Sequence, residues 1–424
     1  MVRKEFLGLI PHRAAMGAGT IILPIYLLEI GGKPVDVGFV LFMGSMGTLL
    51  GIILWGNFSA RGLKYKPLMI IGITAYSLLL FLIYSTTSIP LISLIYFVGN
   101  FFVASVVPAL TKVVFEISPR EEWDIEQGKL NAIAGWSWAG GVVASMIFSI
   151  FWPSSRILLI FSLVNFVALP VHLITFRAPS KAPRKRKRRI RRVRKPILER
   201  IRFAPLVMFF LPSVTPPKNE KLYPFFASVF IVFFVSGLAI PQVVVYAHYQ
   251  YAERMWPYLV YTFMTLSSTL WYMRVSKKLS KETSGYLFYY GAMMRILGIS
   301  IFAFSPAIKL ILGPVAILGA ILMGVSWAYI SISNLSYVGR VSRDEERARA
   351  LSFYNFINGL AVSIGNFAGG FLVNFLGFAH TFLLAVILLT AGAMFMKRIE
   401  GWGEPENDNG KESTKSLNLE EHRG

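Results

Sequence analysis

Apolar stretches of about twenty residues recur along the whole chain, and they restrict the folds that it can adopt. Each is long enough to cross the roughly 30 Å hydrocarbon core of a bilayer as an α-helix. Barrel strands would be about ten residues long with alternating polarity, so helices are the spanning structure that fits. We therefore predict an all-α membrane protein with twelve transmembrane helices, at residues 7–29, 36–59, 67–86, 89–116, 128–152, 155–176, 223–247, 255–275, 284–305, 308–338, 350–376 and 378–397.

The composition supports a lipid environment and excludes several kinds of chemistry. Hydrophobic residues make up 55% of the chain and charged residues 15%, whereas soluble proteins carry about 25% charged residues. The sequence contains no cysteine, which excludes disulfides, thiolate metal sites and cysteine nucleophiles. The five histidines lack a metal-ligand spacing, so we expect no metal and no cofactor.

The positive charge of the chain is concentrated between the sixth and seventh predicted spans. The net charge is +21, and residues 177–205 alone hold fourteen Lys and Arg against one acid, Glu199. Because Lys and Arg accumulate in cytoplasmic loops, we predict a multi-pass protein of the cytoplasmic (inner) membrane with this segment and both termini in the cytoplasm. A nucleic-acid patch is the alternative for the run 184–195. Because the run lies between two predicted spans, we interpret it as a segment that sets the orientation of the protein in the membrane and contacts anionic lipid headgroups. We therefore expect no nucleic-acid partner.

The basic segment divides the chain into two halves that show an internal repeat. We predict a first six-helix bundle at 1–176, a basic cytoplasmic linker at 177–222, a second six-helix bundle at 223–398 and a disordered cytoplasmic tail at 399–424. Residues 118–135 match residues 342–359 at a displacement of 224, and each copy leads into the fifth helix of its half. The halves are therefore expected to be related by an axis along the membrane normal.

Two motifs resemble those of a known transporter family. Residues 55–72 include Gly56, Arg61, Lys64 and Lys66, and they resemble the charged gating loop between the second and third helices of the major facilitator superfamily. The segment GNFAGG at 365–370 resembles that family's motif in the eleventh helix. The resemblance implies the MFS fold, in which two pseudo-symmetric six-helix bundles surround a cavity that opens alternately to each side. It also implies transport of a small solute without ATP and without enzyme activity.

Two arginines are the leading candidates for solute binding, because an ionisable group at membrane depth costs about 2.5–3.5 kcal/mol on insertion scales. Arg295 lies near the middle of the ninth span. It either lines the cavity or bonds structurally to neighbouring helices. Arg13 lies about two turns inside the first span and shares a helical face with Gly17 and Thr20. It either lines the cavity or extends to the inner headgroups.

Other polar and aromatic residues in the spans are candidates too, with helix packing as the alternative. Asn355, Asn358 and Asn366 share one arc of the eleventh span, where they would bond either a solute or a neighbouring helix. The remaining predicted solute-binding residues are Thr20, Trp138, Gln242, Tyr246 and Asn334. Close helix contacts are predicted at the glycines Gly135, Gly141, Gly365, Gly369 and Gly370.

Acidic residues are missing from the middle of every predicted span. Because Arg stays protonated and favours an anion, this pattern points to an anionic solute or to uniport. We expect secondary active or facilitative transport by a monomer, with export of an amphipathic or anionic compound as the first hypothesis and uptake of an organic anion as the alternative. A non-transporting membrane sensor with the same fold is a second class of function.

The predicted orientation can be tested with single cysteines, since the sequence has none of its own. Lys33→Cys in the first connection should react with a membrane-impermeant maleimide added to intact cells, and Ser180→Cys in the basic segment should react only after the cells are permeabilised. Labelling of Ser180→Cys in intact cells would contradict the orientation.

Overall fold

The computed structural model describes residues 7–60, 63–117, 123–175, 216–217, 222–279, 284–304, 312–342 and 344–397. The described residues form helices joined by short connections. The helices are α1 (Leu9–Glu29), α2 (Pro34–Ala60), α3 (Tyr65–Tyr84), α4 (Ile89–Val103), α5 (Val106–Ile117), α6 (Trp123–Phe151), α7 (Ser154–Thr175), α8 (Tyr223–Gln250), α9 (Met255–Leu279), α10 (Ser284–Phe304), α11 (Leu312–Val341) and α12 (Asp344–Lys397).

The structure differs from the predicted spans at two places. The predicted span 89–116 is broken between α4 and α5, because Pro108 has no N–H to donate to the carbonyl of Ala104. At the break, the Ser105 hydroxyl donates to the Leu68 carbonyl of α3 at 2.8 Å. Conversely, α12 contains two predicted spans in one helix, which bends at Gly377 with a φ of 78°. Counting α4 with α5 and dividing α12 at Gly377, the described helices make six legs on each side of residues 176–222.

Nine described stretches are long and apolar enough to cross a membrane by length and composition, and one of them, 349–396, contains both legs of α12. Helices α1 and α9 fall outside that criterion. Helix α1 contains His12 and Arg13, and α9 is rich in hydroxyl-bearing and basic residues. Large apolar side chains stand exposed along the helices, including Leu163, Phe166, Phe375 and Ile387, each more than half exposed. Faces of this kind need lipid as their solvent.

The two ends of the helix bundle are distinguished by the connection 176–222. We call the linker side the end at which α7 stops at Thr175 and α8 starts at Tyr223, and the far side the opposite end. Helix α1 starts at the linker side and ends at the far side, where Gly31 adopts a φ of 92° and allows the chain to turn into α2. The Asp36 carboxylate accepts a hydrogen bond from the Lys33 backbone N–H at 2.8 Å and caps α2 there.

Each half brings its first and fifth helices together at a pair of glycines. A Cβ on Gly17 of α1 would overlap the backbone oxygen of Trp138, and a Cβ on Gly141 of α6 would overlap that of Ala14. In the second half, Gly237 of α8 and Gly365 of α12 have the same relation to the backbones of α12 and α8. Gly365 follows Gly141 by 224 residues, the displacement of the sequence repeat, so the repeat coincides with equivalent helix contacts.

The predicted packing glycines divide into two groups. Gly369 lies against the backbone of Leu238 within the second half, and Gly370 lies against Pro34 and Gly38 of the first half. With Gly141 and Gly365, these glycines allow the close backbone approach expected of small residues in membrane helices. Gly135 differs from them, because no described atom lies within 4 Å of the position its Cβ would take. The prediction that Gly135 lies at a close helix contact is therefore wrong for this structure.

Substitution should separate the two kinds of glycine. Gly365→Val places side-chain atoms where the α8 backbone lies, and we expect a loss of stability of about 2 kcal/mol or more. Gly135→Ala occupies open space and should leave stability unchanged or raise it by about 0.5–1 kcal/mol. Thermal unfolding of the purified proteins measures both, and an equal fall in Tm for the two variants would contradict the packing.

Candidate functional site

Arg295 is the largest fully buried side chain among the described residues, and its side chain is 0% exposed. It lies in the middle of α10, with Gly291 and Gly298 of the same helix packed closely against α11. These close contacts bring the α10 backbone near its neighbours, so the long side chain crosses into the interior of the second half. The residue therefore neither extends to a helix end nor faces lipid.

Hydroxyl groups from two other helices hold the Arg295 guanidinium. Its Nε donates to the Ser326 hydroxyl of α11 at 2.8 Å, and its Nη1 donates to the Ser236 hydroxyl of α8. The guanidinium carbon lies 5.4 Å from the centre of the Trp327 ring, a favourable cation–π distance. Nη2 is buried and has no hydrogen-bond partner. A donor edge of the guanidinium is thus left for another acceptor.

Arg295 has no carboxylate partner within the described part of the chain. Where side chains are described, the carboxylates are those of Glu29, Asp36 and Glu253, and all three lie at far-side helix ends. Neutral hydroxyls share the charge of the guanidinium without compensating it. Because charge in a low-dielectric interior is expensive unless it is paired, the site is electrostatically suited to a negatively charged group.

Aromatic and polar side chains surround Arg295 on the linker-side part of the second half. The Trp327 ring packs edge-on against Phe233, which in turn contacts Tyr354 of α12. The Tyr272 hydroxyl of α9 is 2.8 Å from the Ser331 hydroxyl. The buried candidate Asn334 lies beside Tyr354 in the same region. Four helices of one half therefore contribute to the surroundings of the guanidinium.

The structure places the other solute-binding candidates at separate positions. Arg13 in the first half is half-buried, its Nη1 is 4.0 Å from the Met16 sulfur, and its buried Nε has no partner. Thr20 donates to the Met16 carbonyl of its own helix at 2.9 Å. Trp138 is half-buried in α6, where its backbone meets Gly17. These residues belong to the first half, so the structure does not assemble them around Arg295.

Candidates on α8 and α12 also have different environments. Gln242 is fully buried, and both of its amide atoms lack a hydrogen-bond partner. Tyr246 packs against Phe302, Phe378 and Phe382 inside the second half, which is a packing role. Asn358 is half-buried on the first leg of α12. Asn366 donates to the Ser45 hydroxyl of α2 at 3.1 Å and so joins the two halves.

The gating-loop residues lie around the linker-side turn between α2 and α3. Lys64 is exposed and Lys66 is half-buried. Gly56 has open space where its Cβ would be. Arg61 falls outside the described residues.

A second buried polar cluster, in the first half, was not found from the sequence. His12 Nδ1 is 2.7 Å from the Asn165 amide oxygen, and the Asn165 amide nitrogen donates to the Ile73 carbonyl at 2.7 Å and to the Ser77 hydroxyl at 2.8 Å. His12 also meets the Tyr76 ring edge-on. The cluster joins α1, α3 and α7. Asn165, a polar residue in the middle of the apolar helix α7, was the sequence feature that could have indicated this cluster.

Asn165 connects three helices, so its removal should be costly. Asn165→Leu leaves His12 Nδ1 without a bonding partner in a buried environment, and we expect a loss of stability of about 1–3 kcal/mol. Asn100→Leu is the matched control, because Asn100 donates to the Tyr96 carbonyl of its own helix at 2.8 Å and its bonding to Tyr96 stays within that helix. A lower Tm for Asn165→Leu alone supports the cluster, and equal Tm values for the two variants would argue against it.

Solved transporter structures share this helix arrangement. The structure of the nucleoside transporter NupG has a TM-score of 0.75 and 14% sequence identity, covering 94% of this chain and 98% of that one. A mutant of the peptide transporter POT in complex with alafosfalin has a TM-score of 0.67 and 12% identity, covering 95% of each chain. At these identities the likeness concerns the fold. A search of curated proteins found no match.

The sequence itself matches a family model described as Major Facilitator Superfamily, over residues 6–342 and 295–419. The match extends through both halves. The all-helical membrane fold and the glycine contacts that recur in each half are consistent with it. Proteins of this family carry small solutes across membranes by secondary transport and are not enzymes. The chain belongs to the major facilitator superfamily.

Proposed function

We propose that this carrier moves a small solute with a negative charge, and that Arg295 binds the charged group. The observation that supports this is the fully buried guanidinium, which has a free Nη2 and no carboxylate partner among the described side chains. An Arg side chain remains protonated in proteins, and the described residues supply no acceptor for its free edge, which is therefore suited to an acceptor on the solute. A carboxylate or phosphate group matches the planar donor edge.

The distribution of charge in the membrane domain supports an anionic substrate class. Arg13 adds a second cation at depth, and the sequence places no Asp or Glu near the middle of a predicted span. A carrier coupled to protons through a buried carboxylate would need such a residue. We therefore propose an anion carrier that acts by uniport or is coupled through another group.

The contacts between the halves support alternating access from the linker side. Gly38 meets Gly370, Ser45 meets Asn366, and Ser154 of α7 meets Tyr258 of α9, all between the far side and the middle of the helices. We propose that these contacts close the far side and that rocking of the halves opens it. If the linker side is cytoplasmic, as the basic segment predicts, the carrier loads solute from the cytoplasm and exports it. Uptake is the alternative direction.

The proposal also covers the oligomeric state of the carrier, its membrane, its orientation and its lipid contacts. We propose a monomer in the cytoplasmic membrane, with both termini and the linker 177–222 in the cytoplasm, where fourteen basic residues in 177–205 contact anionic headgroups.

A sensor with the same fold would bind solute without moving it. Counterflow in proteoliposomes distinguishes the two, because a sensor gives binding with no flux.

Arg295→Gln should abolish transport of the anionic solute while leaving the fold intact. A thermal-shift screen of the purified protein first identifies a ligand among organic anions, phosphorylated compounds, lipophilic cations, nucleosides and short peptides; the last two classes reflect the names of the structures with a similar fold. Flux of that ligand is then measured in proteoliposomes. We expect at least a hundredfold fall for Arg295→Gln, because a charged hydrogen bond is worth about 1.5–3 kcal/mol and the loss leaves a ligand charge unpaired.

One control variant makes the result specific. Arg274→Gln removes an exposed cation of α9 that lies over the Trp271 ring, and flux should be unchanged. Binding of a neutral or cationic ligand alone, with normal flux in Arg295→Gln, would overturn the proposed substrate class.

A further inference from the structure

The far-side ends of α1, α7 and α9 meet at a chain of polar contacts that the sequence did not indicate. Glu29 is the last residue of α1, Ser154 is the first residue of α7, and Tyr258 lies one turn into α9. Ser154 and Tyr258 are each only 1% exposed. The first two residues belong to the first half and the third to the second half.

The contacts run in sequence from the carboxylate to the phenol. The Glu29 carboxylate accepts a hydrogen bond from the Ser154 backbone N–H at 3.2 Å. That N–H is one of the unpaired donors at the start of a helix, where a negative charge is favourable. The Ser154 hydroxyl is 2.9 Å from the Tyr258 hydroxyl. Glu29 thereby fixes the position of Ser154, and Ser154 bonds the opposite half.

The packing around Tyr258 shows that this contact belongs to the closed far side. Tyr258 and two α8 residues, Val244 and Val245, are buried in the apolar cluster of the first half, with Tyr26 and Ile22 of α1. Separation of the halves at this end would withdraw Tyr258 from that cluster and break its bond to Ser154. Two other titratable groups face these contacts: His248 of α8 lies within electrostatic range of Glu29, and Arg254 of the next connection lies within electrostatic range of Tyr258.

We infer that Ser154 and Tyr258 form a far-side latch, with Glu29 as its positioning residue, and that the latch sets the fraction of molecules whose far side is open. The bond exists only while the far side is closed, so removing it favours the open state. One hydrogen bond of this kind changes a conformational ratio roughly fivefold. The latch rests on the contacts between the halves and does not depend on which solute is carried.

The test uses Val245→Cys as the only cysteine of the chain, because Val245 is 0% exposed in the closed far side. The rate of its reaction with a water-soluble maleimide is measured on the protein in nanodiscs, which needs no solute. Tyr258→Phe removes one hydroxyl and should raise that rate about fivefold. Ser154→Ala should raise it equally, and the two together should add nothing more, since both remove the same bond. Glu29→Gln should raise it as well.

Two controls distinguish a latch from general loosening. Tyr249→Phe alters a 54%-exposed tyrosine of α8 and should leave the rate unchanged. Ala385→Cys reports on a site that is 0% exposed within the second half, and its rate should not respond to Tyr258→Phe. An unchanged Val245→Cys rate in both Tyr258→Phe and Ser154→Ala would overturn the latch, and so would an equal rise at Ala385→Cys. Neither result would bear on the anion site at Arg295.

Discussion

The burial of an uncompensated positive charge is the constraint on which the rest of this structure depends. A guanidinium withdrawn from water needs hydrogen bonds for its donors and a counter-charge for its cation. Ser236 and Ser326 supply two hydrogen bonds and Trp327 supplies a ring face, but the described side chains supply no counter-charge. A membrane protein that keeps such a group in its interior retains a strong, localised preference for an anion. The substrate class that we propose follows from this imbalance.

Close helix packing at glycines is common to both halves. The glycine pairs Gly17–Gly141 and Gly237–Gly365 bring neighbouring backbones so near that a methyl group would not fit. In the second half this packing helps to enclose Arg295, and a low-dielectric interior strengthens the electrostatic attraction of a guanidinium for a negative charge. Between the halves, apolar packing such as that of Phe42 against Phe367 accompanies hydrogen bonds such as that between Ser154 and Tyr258. The molecule therefore combines two tightly packed halves with an interface of glycine contacts, aromatic packing and a few hydrogen bonds, and the rocking that we propose separates these contacts at the far side.

The sequence was sufficient for the features that depend on chain-long patterns. The apolar spans, the repeat displacement and the division of α12 at Gly377 all follow from periodicity and composition, because a bilayer imposes the same length on every helix. The features it missed depend on which helices become neighbours. Gly135 and Gly141 look alike in the sequence, yet among the described residues only Gly141 of these two meets another backbone. The partners of Arg295 are serines, which occur throughout these helices, so nothing local marked Ser236 and Ser326 as special.

The two halves have diverged in the chemistry of their interiors although their helices pack alike. In the first half, Tyr76 of the third helix donates to the Ala15 carbonyl of the first helix at 3.3 Å, next to the His12–Asn165 contact. In the second half, Arg295 of the third helix reaches Ser236 of the first helix. The first arrangement consists of neutral groups that hydrogen-bond one another and join three helices, and the cation of this half, Arg13, follows His12 on α1. The second introduces a cation that its neighbours cannot neutralise. In the function that we propose, this cation makes the second half the one that binds the charged group of the solute.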